Sequence, residues 1–260
     1  MHLIKLNAID STNSYLRKLS SEAELVDYTV VSAKYQTNGR GQMGTIWNSE
    51  NSKNLTVSVF KDVSKLYLEH PFYISMATSL ALIKTLQSFS IPKLSIKWPN
   101  DILSEDKKIC GILIENVIKN NQLQATIIGF GLNINQAYFE NLRSATSMRI
   151  VSGKTFDLEE VLVRVIKKLQ VYTEMLKAGN FQQIKDLYEA ELFRKNKPST
   201  FKNAEGVMFS GFIIGVSNSG NLQVKLEDNI IKEKDINSNS KLINVSLHWL
   251  FVLIHLSELL

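Results

Sequence analysis

A glycine-rich loop between two predicted strands constrains this chain more than any other stretch. Residues 36–47 read Gln-Thr-Asn-Gly-Arg-Gly-Gln-Met-Gly-Thr-Ile-Trp and stand between two alternating, β-branched runs, residues 28–35 and 54–60. Gly39, Gly41 and Gly44 permit backbone conformations that other residues avoid, and Arg40 adds a planar cationic fork. Such a loop can direct several N–H groups at one anion. We predict either a site for the carboxylate or phosphate of a small molecule, with Gln36 beside it, or a mobile hairpin loop without a ligand.

The elements that flank this loop exclude two common nucleotide-binding loops. A Walker-type phosphate loop opens a helix and ends in Gly-Lys-Ser/Thr, and the dinucleotide fingerprint also opens a helix. The loop in this chain runs from one predicted strand to the next and lacks the Gly-Lys-Ser/Thr ending. Neither class of site is therefore expected.

Composition limits the broad class of protein. The chain has 260 residues, of which 44% are hydrophobic and 21% charged, as expected for either one good-sized globular domain or one domain with a small appendage. The formal net charge of +5 comes from scattered lysines without a basic arm, so we expect no nucleic-acid partner. The single cysteine, Cys110, excludes an internal disulfide, fits a reducing cytoplasm and is expected to pack in the core. The N-terminus shows no signal-peptide pattern.

Hydrophobic periodicity predicts alternating strands and helices. Strands are expected at residues 2–8, 28–35, 54–60, 94–98, 109–119 and 123–133. Helices are expected at residues 14–20, 68–89, 158–177 and 181–193, the second being an amphipathic helix over a sheet face. Asn100 and Asp101 are predicted to form a turn, and the arms 109–119 and 123–133 to form a hairpin.

Beyond Lys195 the pattern changes to short strands. Runs at residues 200–202, 207–216 and 222–226 predict a small barrel-like β domain. The tail, residues 242–260, is apolar but slightly short for a membrane span, and it contains Asn244, His248 and His255. A packing helix, a surface-lying segment and an atypical gene end all remain open for the tail, and we do not expect it to cross a membrane.

Polar residues precede the first predicted helix. Asp10, Ser11, Thr12 and Asn13 can all cap its N-terminus. Alternatively, hydroxyl and amide groups beside the free N–H groups of a helix start can hold a polar ligand. The sequence leaves both interpretations open.

Three further polar segments also indicate a functional site. They are Lys-Trp-Pro-Asn-Asp at residues 97–101, Lys-Lys-Ile-Cys-Gly-Ile-Leu-Ile-Glu at 107–115 and Gly-Phe-Gly-Leu-Asn-Ile-Asn at 129–135. Glycine within a strand often marks the close approach of a ligand or another backbone. Each segment alone is weak evidence for a site, but the order and spacing of the three together form a specific pattern.

Together these motifs resemble those of biotin protein ligases, which activate biotin with ATP and attach it to carboxylase carrier domains. The matching pieces are Ser11-Thr12-Asn13 and residues 36–47, 97–101, 108–115 and 129–133. The resemblance implies an α+β catalytic domain like that of class II aminoacyl-tRNA synthetases at residues 1–194, a mixed sheet with helices. It also implies an SH3-like β domain at 195–238, and it leaves residues 239–260 as an apolar tail of uncertain structure. Because the Ser-Thr-Asn motif begins at residue 11, we expect the monofunctional type without an N-terminal DNA-binding domain.

The resemblance also implies roles for individual residues. Ser11, Thr12 and Asn13 would hold the biotin ring system, with Gln36 facing the ureido group or the valeryl chain. The remaining biotin contacts would come from Gly39, Arg40, Lys108, Gly111 and Ile112. The catalytic residues would be Lys108, which touches both the carboxylate and the phosphate, together with Arg40, Lys97 and Asp101. ATP and the adenylate would be bound by Arg40, Gly41, Gln42, Met43, Trp47, Asn100, Lys108 and Asn133.

Biotin and ATP are then the expected substrates, with Mg²⁺ accompanying ATP and no metal ligands assigned. The expected partner is a biotin carboxyl carrier protein, and either a monomer or a homodimer is possible. A lipoate ligase or octanoyltransferase of the same fold, and a non-catalytic biotin sensor, are the alternatives.

The loop departs from the pattern of the resembled family. Many relatives carry Gly-Arg-Gly-Arg-X-Gly-Arg, whereas this chain has Gln42, Met43 and Thr45 at the later positions. Glutamine can donate a hydrogen bond but cannot neutralise a phosphate. We therefore predict weaker retention of ATP or the adenylate than in relatives with more arginines.

Overall fold

The computed structural model describes residues 1–66, 68–140, 142–202, 206–226, 228 and 230–234. The contacts divide the chain into a unit from Met1 to Glu191 and a second unit that begins at Leu192. The apolar tail predicted at residues 239–260 lies outside the described residues. Within the described ranges, no helix is both long and apolar enough to cross a membrane.

Seven strands form the sheet of the first unit. They are β1 (His2–Ile9), β2 (Thr29–Gln36), β3 (Leu55–Asp62), β4 (Leu94–Lys97), β5 (Asp101–Ser104), β6 (Lys107–Lys119) and β7 (Gln122–Leu132). Their order is β1-β2-β3-β7-β6-β5-β4, with β1 and β2 parallel and every other neighbouring pair antiparallel. The prediction of an α+β fold with a mixed sheet is confirmed.

The hairpin of β6 and β7 is confirmed as predicted. Its turn consists of Asn120 and Asn121, which both have positive φ angles, 53° and 57°. A two-residue turn with positive φ at both positions matches the twist of the strands, and asparagine tolerates this conformation. The predicted turn at Asn100 and Asp101 is wrong in part, because Asp101 is already the first residue of β5.

Five helices accompany the sheet within the described residues. They are α1 (Thr12–Glu22), α2 (Phe72–Ser88), α3 (Met148–Ser152), α4 (Leu158–Lys177) and α5 (Phe181–Ala190). The short α3 was not predicted. The prediction that α2 is amphipathic is wrong, since 13 of its 17 residues are buried. This helix packs against α4 and α5 and also against β4, β5 and β6, so it needs no polar face.

One face of the sheet carries α1. Leu16 of α1 packs with Val31 of β2 and Ile127 of β7. A Cβ atom on Gly129 of β7 would lie 2.2 Å from Asn13 Oδ1, so the absence of a side chain at this position lets the start of α1 approach the sheet. Gly131 lies on the same face of β7 as Gly129, because residues two positions apart in a strand point to the same side.

The second unit contains a four-stranded antiparallel sheet. Its strands are β8 (Pro198–Lys202), β9 (Met208–Val216), β10 (Leu222–Lys225) and β11 (Ile231–Lys234), in the order β11-β10-β9-β8. The strand β11 was not predicted. Over the residues that are described, β8 and β11 form the two edges, and the sheet does not close into a barrel.

Candidate active site

The glycine-rich loop between β2 and β3 folds back on itself. Trp47 N donates to Gly39 O at 2.9 Å, and Gly41 N donates to Thr45 O at 2.7 Å. A Cβ atom on Gly39 would lie 2.3 Å from Trp47 O, and one on Gly41 would lie 2.4 Å from Thr45 Oγ1. Both positions therefore require glycine because of close approach rather than because of positive φ.

The loop ends with Trp47 lying on two glycines of the sheet. A Cβ atom on Gly131 would be 2.2 Å from the indole Cε2, and one on Gly111 would be 2.9 Å from its Cζ3. Gly111 and Gly131 face each other across β6 and β7. The indole N–H is buried and has no hydrogen-bond partner within the described ranges. The two glycines thus form a flat surface that accepts an aromatic ring.

Lys108 lies at the edge of this surface. Its Nζ is 2.6 Å from Asp101 Oδ1 and 5.5 Å from the centroid of the Trp47 ring. Its backbone is held on the other side, since Lys108 N donates to Ser144 O at 2.7 Å and Thr146 N donates to Lys108 O at 2.9 Å. The ammonium group is therefore placed beside the loop by contacts of both its side chain and its backbone.

A β-bulge explains why Lys108 and Gly111 share a face although three positions separate them. Ile102 of β5 pairs with Cys110, but Leu103 pairs with Lys108, so Ile109 is the extra residue on β6. A bulge re-aims the side chains on one side of it. The register also sets Lys97 directly opposite Asp101 across β4 and β5.

The start of α1 is tied to β2 and β3 by side chains. Gln36 Oε1 accepts hydrogen bonds from Thr12 N at 2.8 Å and Thr12 Oγ1 at 3.0 Å. Ser58 Oγ lies 2.8 Å from Thr12 Oγ1 and 2.5 Å from Asn13 Oδ1. Ser11 makes the capping contact, a long one of 3.5 Å from Ser14 N. Capping alone therefore accounts for Ser11 but not for Thr12 and Asn13.

Glu115 joins the start of α1 to the loop. Its Oε2 accepts from Arg40 Nη2 at 2.8 Å and from Asn13 Nδ2 at 2.8 Å, and Arg17 Nη2 lies 3.9 Å from its Oε1. Arg40 thus lies over β6 on the face that also carries Lys108. Sequence reasoning assigned no role to Glu115 or to Ser58. One feature of the sequence could have indicated Ser58. It is a small polar residue between β-branched and aromatic residues, in a strand that is buried in the structure.

The other predicted site residues have varied surroundings. Asn100 Nδ2 donates to Ile112 O, and Ile112 N donates to Asn100 O, both at 2.9 Å, so Asn100 fastens the turn before β5 to β6. Asn133 is 3% exposed, and its Oδ1 has no partner within the part of the chain that the structure describes. Met43 has a φ of 53° and is largely exposed, and Gln42 begins the short 3₁₀ turn that includes it.

Cys110 is buried and free, as predicted. Burial raises the pKa of its thiol well above the ordinary value. A thiol in such surroundings stays protonated and inert, so Cys110 has a packing role.

Comparison with known proteins identifies the family. The model of the Biotin/lipoate A/B protein ligase family matches residues 6–133. This stretch is a domain of that family. All the residues that the sequence analysis assigned to catalysis or to substrate binding lie within it.

Curated relatives and a solved structure extend the similarity beyond the matched range. The chain is 27% identical to the bifunctional ligase/repressor BirA of Bacillus spizizenii over 235 residues, which are 89% of this chain and 71% of the relative. It is 26% identical to the biotin--[acetyl-CoA-carboxylase] ligase of Paracoccus denitrificans over 220 residues, 82% of this chain and 90% of the relative. It is similar in structure to the biotin protein ligase of Aquifex aeolicus in complex with biotin and ATP, with a TM-score of 0.78 and 26% identity, covering 94% of this chain and 99% of that one.

Proposed function

We propose that this chain is an ATP-dependent biotin protein ligase. It forms biotinyl-5′-AMP from biotin and ATP and then transfers biotin to a lysine of a biotin carboxyl carrier protein. The observation that carries the proposal is the placement of Arg40 and Lys108, cations from distant segments, over the same strand of the sheet beside the paired glycines. Relatives and a structural neighbour that are named biotin ligases support it.

The first half-reaction joins two anions. An oxygen of the biotin carboxylate attacks the α-phosphorus of ATP, the bond to the β-phosphate oxygen breaks, and pyrophosphate leaves with the electron pair. Fixed cations stabilise the charge that accumulates in this step. Lys108 has three N–H donors and forms an ion pair with Asp101, so it can still donate to the carboxylate and the phosphate. Arg40 approaches Glu115 with one nitrogen of its fork and keeps other donors for an anion.

The second half-reaction transfers the acyl group. The neutral amine of a carrier lysine attacks the carbonyl carbon of the mixed anhydride, and AMP leaves. The amine must lose a proton during this step, and we assign Asp101 as the group that orients the amine or accepts the proton. Lys97, opposite Asp101 in the sheet, adds positive charge beside that carboxylate.

Substrate binding is assigned to the groups around these cations. Thr12, Asn13 and Gln36, with Ser11 before them, are assigned to the biotin ring, and their hydrogen bonds to one another and to Glu115 hold them in place for it. The backbone of Gly111 and Ile112 and the loop residues Gly39 and Gly41 line the valeryl chain and the carboxylate. The nucleotide is assigned to Trp47, Gln42, Met43, Asn100 and Asn133, and the buried, unpaired Oδ1 of Asn133 is a ready acceptor for an amino or hydroxyl group.

Any Mg²⁺ is expected to be held mainly by the ATP phosphates. The described ranges contain no group of three acidic, histidine or cysteine side chains that would form a metal cage. The two carboxylates near the loop are already paired with Lys108 and Arg40. Mg²⁺ commonly keeps water and substrate phosphates as most of its ligands, which fits such surroundings. The ion would neutralise phosphate charge during adenylation.

The remaining features of the protein are assigned by the same resemblance. We infer that the unit beginning at Leu192 is an SH3-like domain, supported by its short antiparallel strands. We place the reaction in the cytoplasm, supported by the free thiol of Cys110. A monomer and a homodimer both stay predictions.

A transfer assay tests the proposed function. The protein is incubated with ATP, Mg²⁺, an apo carrier domain and either biotin or lipoate, and the carrier is then weighed by mass spectrometry. We expect a biotin adduct, absent from a carrier whose acceptor lysine is replaced by arginine. A lipoyl adduct would instead identify a lipoate ligase, and binding of biotin without any adduct would identify a sensor.

A second prediction concerns the neutral residue at position 42. We expect Gln42→Arg to slow the release of biotinyl-adenylate by about tenfold, because a charge-assisted hydrogen bond to the phosphate replaces a neutral one. Release is measured by rapid dilution of the loaded enzyme. Ile46→Arg adds the same charge at a side chain of the same loop that is 69% exposed, and it should leave the release rate unchanged. Equal release from wild type and Gln42→Arg would contradict the prediction.

A further inference from the structure

The carboxylate of Glu115 is the point at which the start of α1 and the glycine-rich loop meet. One oxygen, Oε2, accepts hydrogen bonds from both Asn13 Nδ2 and Arg40 Nη2. Glu115 belongs to β6, and its partners are distant from it along the chain. We propose that Glu115 is a positioning residue that holds the Arg40 guanidinium in place for adenylation. This inference rests on the function proposed above and adds a residue to which that function assigns no role.

The acceptor that Glu115 offers to Arg40 is itself fixed. Asn13, which donates to Glu115, is 3% exposed and also donates to Leu113 O at 3.2 Å. Asn13 Oδ1 lies 2.5 Å from the hydroxyl of Ser58, a fully buried residue of β3. Glu115 therefore ends a chain of hydrogen bonds anchored in the sheet. An arginine held by such an acceptor loses its rotamer freedom before substrate binds rather than during the reaction.

The contact leaves Arg40 able to act on an anion. The guanidinium has five N–H donors, and Glu115 Oε2 is approached by one nitrogen. The Arg40 side chain is 39% exposed, whereas that of Glu115 is 19% exposed, so the cation is the more accessible partner. Arg17 lies 3.9 Å from the other oxygen of Glu115. Two guanidinium groups against one carboxylate leave a net positive charge, so an anionic substrate is still attracted.

The opposite role for Glu115 would be competition. If its carboxylate merely occupied Arg40 until substrate displaced it, then removing the carboxylate would strengthen ATP binding and speed adenylation. A positioning role requires the reverse. The single-nitrogen contact and the anchored acceptor favour positioning, and the two roles differ in the sign of the effect.

A double-mutant cycle on positions 40 and 115 tests the inference. The variants are Glu115→Ala, Glu115→Gln, Arg40→Ala and the double variant Glu115→Ala/Arg40→Ala, measured in the full chain. ATP–pyrophosphate exchange gives kcat and KM for adenylation, biotin affinity is measured separately by calorimetry, and thermal unfolding checks folding. Glu191→Gln is the matched control, since the Glu191 side chain is 20% exposed, pairs with Lys84 at 2.9 Å and belongs to neither the loop nor α1.

We expect Glu115→Ala to lower kcat for adenylation by about tenfold, the lower range of what a charge-assisted hydrogen bond contributes. Glu115→Gln keeps an acceptor oxygen for Arg40 and should remain within about threefold of wild type. In the Arg40→Ala background, Glu115→Ala should change kcat by less than about twofold, because the residue acts through Arg40. Glu191→Gln should match wild type.

Three results would overturn the inference. Faster adenylation or tighter ATP binding in Glu115→Ala would identify a competitor. Additive losses in the double variant would show that Glu115 acts independently of Arg40. A loss of biotin affinity with unchanged kcat would show that it serves Asn13 alone. A wild-type chain that makes no adenylate from biotin and ATP would overturn the proposed function itself, whereas the other three results leave that function standing.

Discussion

Replacing Lys108 with alanine is expected to lower kcat for biotinyl-adenylate formation by about a thousandfold. The ammonium lies 2.6 Å from Asp101 and beside the paired glycines, where we place the carboxylate and the α-phosphate. Loss of one preorganised donor at a point where charge develops typically costs on the order of 10²–10³ in rate, and Lys108 is assigned to two such oxygens. The measurement is single-turnover formation of the adenylate, which separates the chemical step from product release.

The neighbouring lysine provides the control for this experiment. Lys107 is the preceding residue of β6 and is exposed, so Lys107→Ala removes the same charge from the same strand and should retain wild-type kcat. Thermal unfolding of Lys108→Ala is needed as well, because the substitution leaves Asp101 without its ion-pair partner. A folded Lys108→Ala variant within tenfold of wild type would refute the role assigned to this residue.

Local sequence patterns predicted most of the strands and helices, but for different physical reasons. The period of α4 follows from the one face that it buries. In β2 and β3 consecutive residues are buried, so both faces are covered and the β-branched composition, rather than one-sided burial, marks them as strands. The pattern failed for α2, whose polar residues Thr78, Ser79 and Thr85 are buried beside its apolar ones. Thr78 and Thr85 donate to backbone carbonyl oxygens four residues earlier, which allows a polar side chain to be buried within a helix.

The motifs located the site, but the sequence could not show how its residues are connected. Glu115 contacts Arg40, 75 positions away, and Asn13, 102 positions away, and no local pattern reports pairs so far apart. The same holds for Ser58, whose partners belong to α1. No sequence pattern indicated the bulge at Ile109, which turns Lys108 toward Gly111. These features arise from strand register, which depends on the whole sheet.

The second large effect is expected in the stability of the fold when Gly129 of β7 is replaced by alanine. We expect Gly129→Ala to lower the free energy of unfolding by roughly 2–5 kcal/mol, from overpacking and from loss of buried hydrogen bonds. The new Cβ would lie 2.2 Å from Asn13 Oδ1, and Asn13 is held by Ser58 and Leu113 and cannot move without breaking those contacts.

Gly131→Ala is the matched variant, two residues further along the same face of β7. Its Cβ would also come within 2.2 Å of another residue, but that residue is Trp47, whose indole belongs to the loop and can swing away. We expect a loss of less than about 1 kcal/mol in unfolding free energy, together with a marked loss of adenylation because the ring leaves its glycine surface. Urea unfolding and pyrophosphate exchange measured on both variants check the pair. Equal destabilisation would mean that the loop is packed as firmly as α1, and the distinction between an anchored helix start and an adjustable loop would then be wrong.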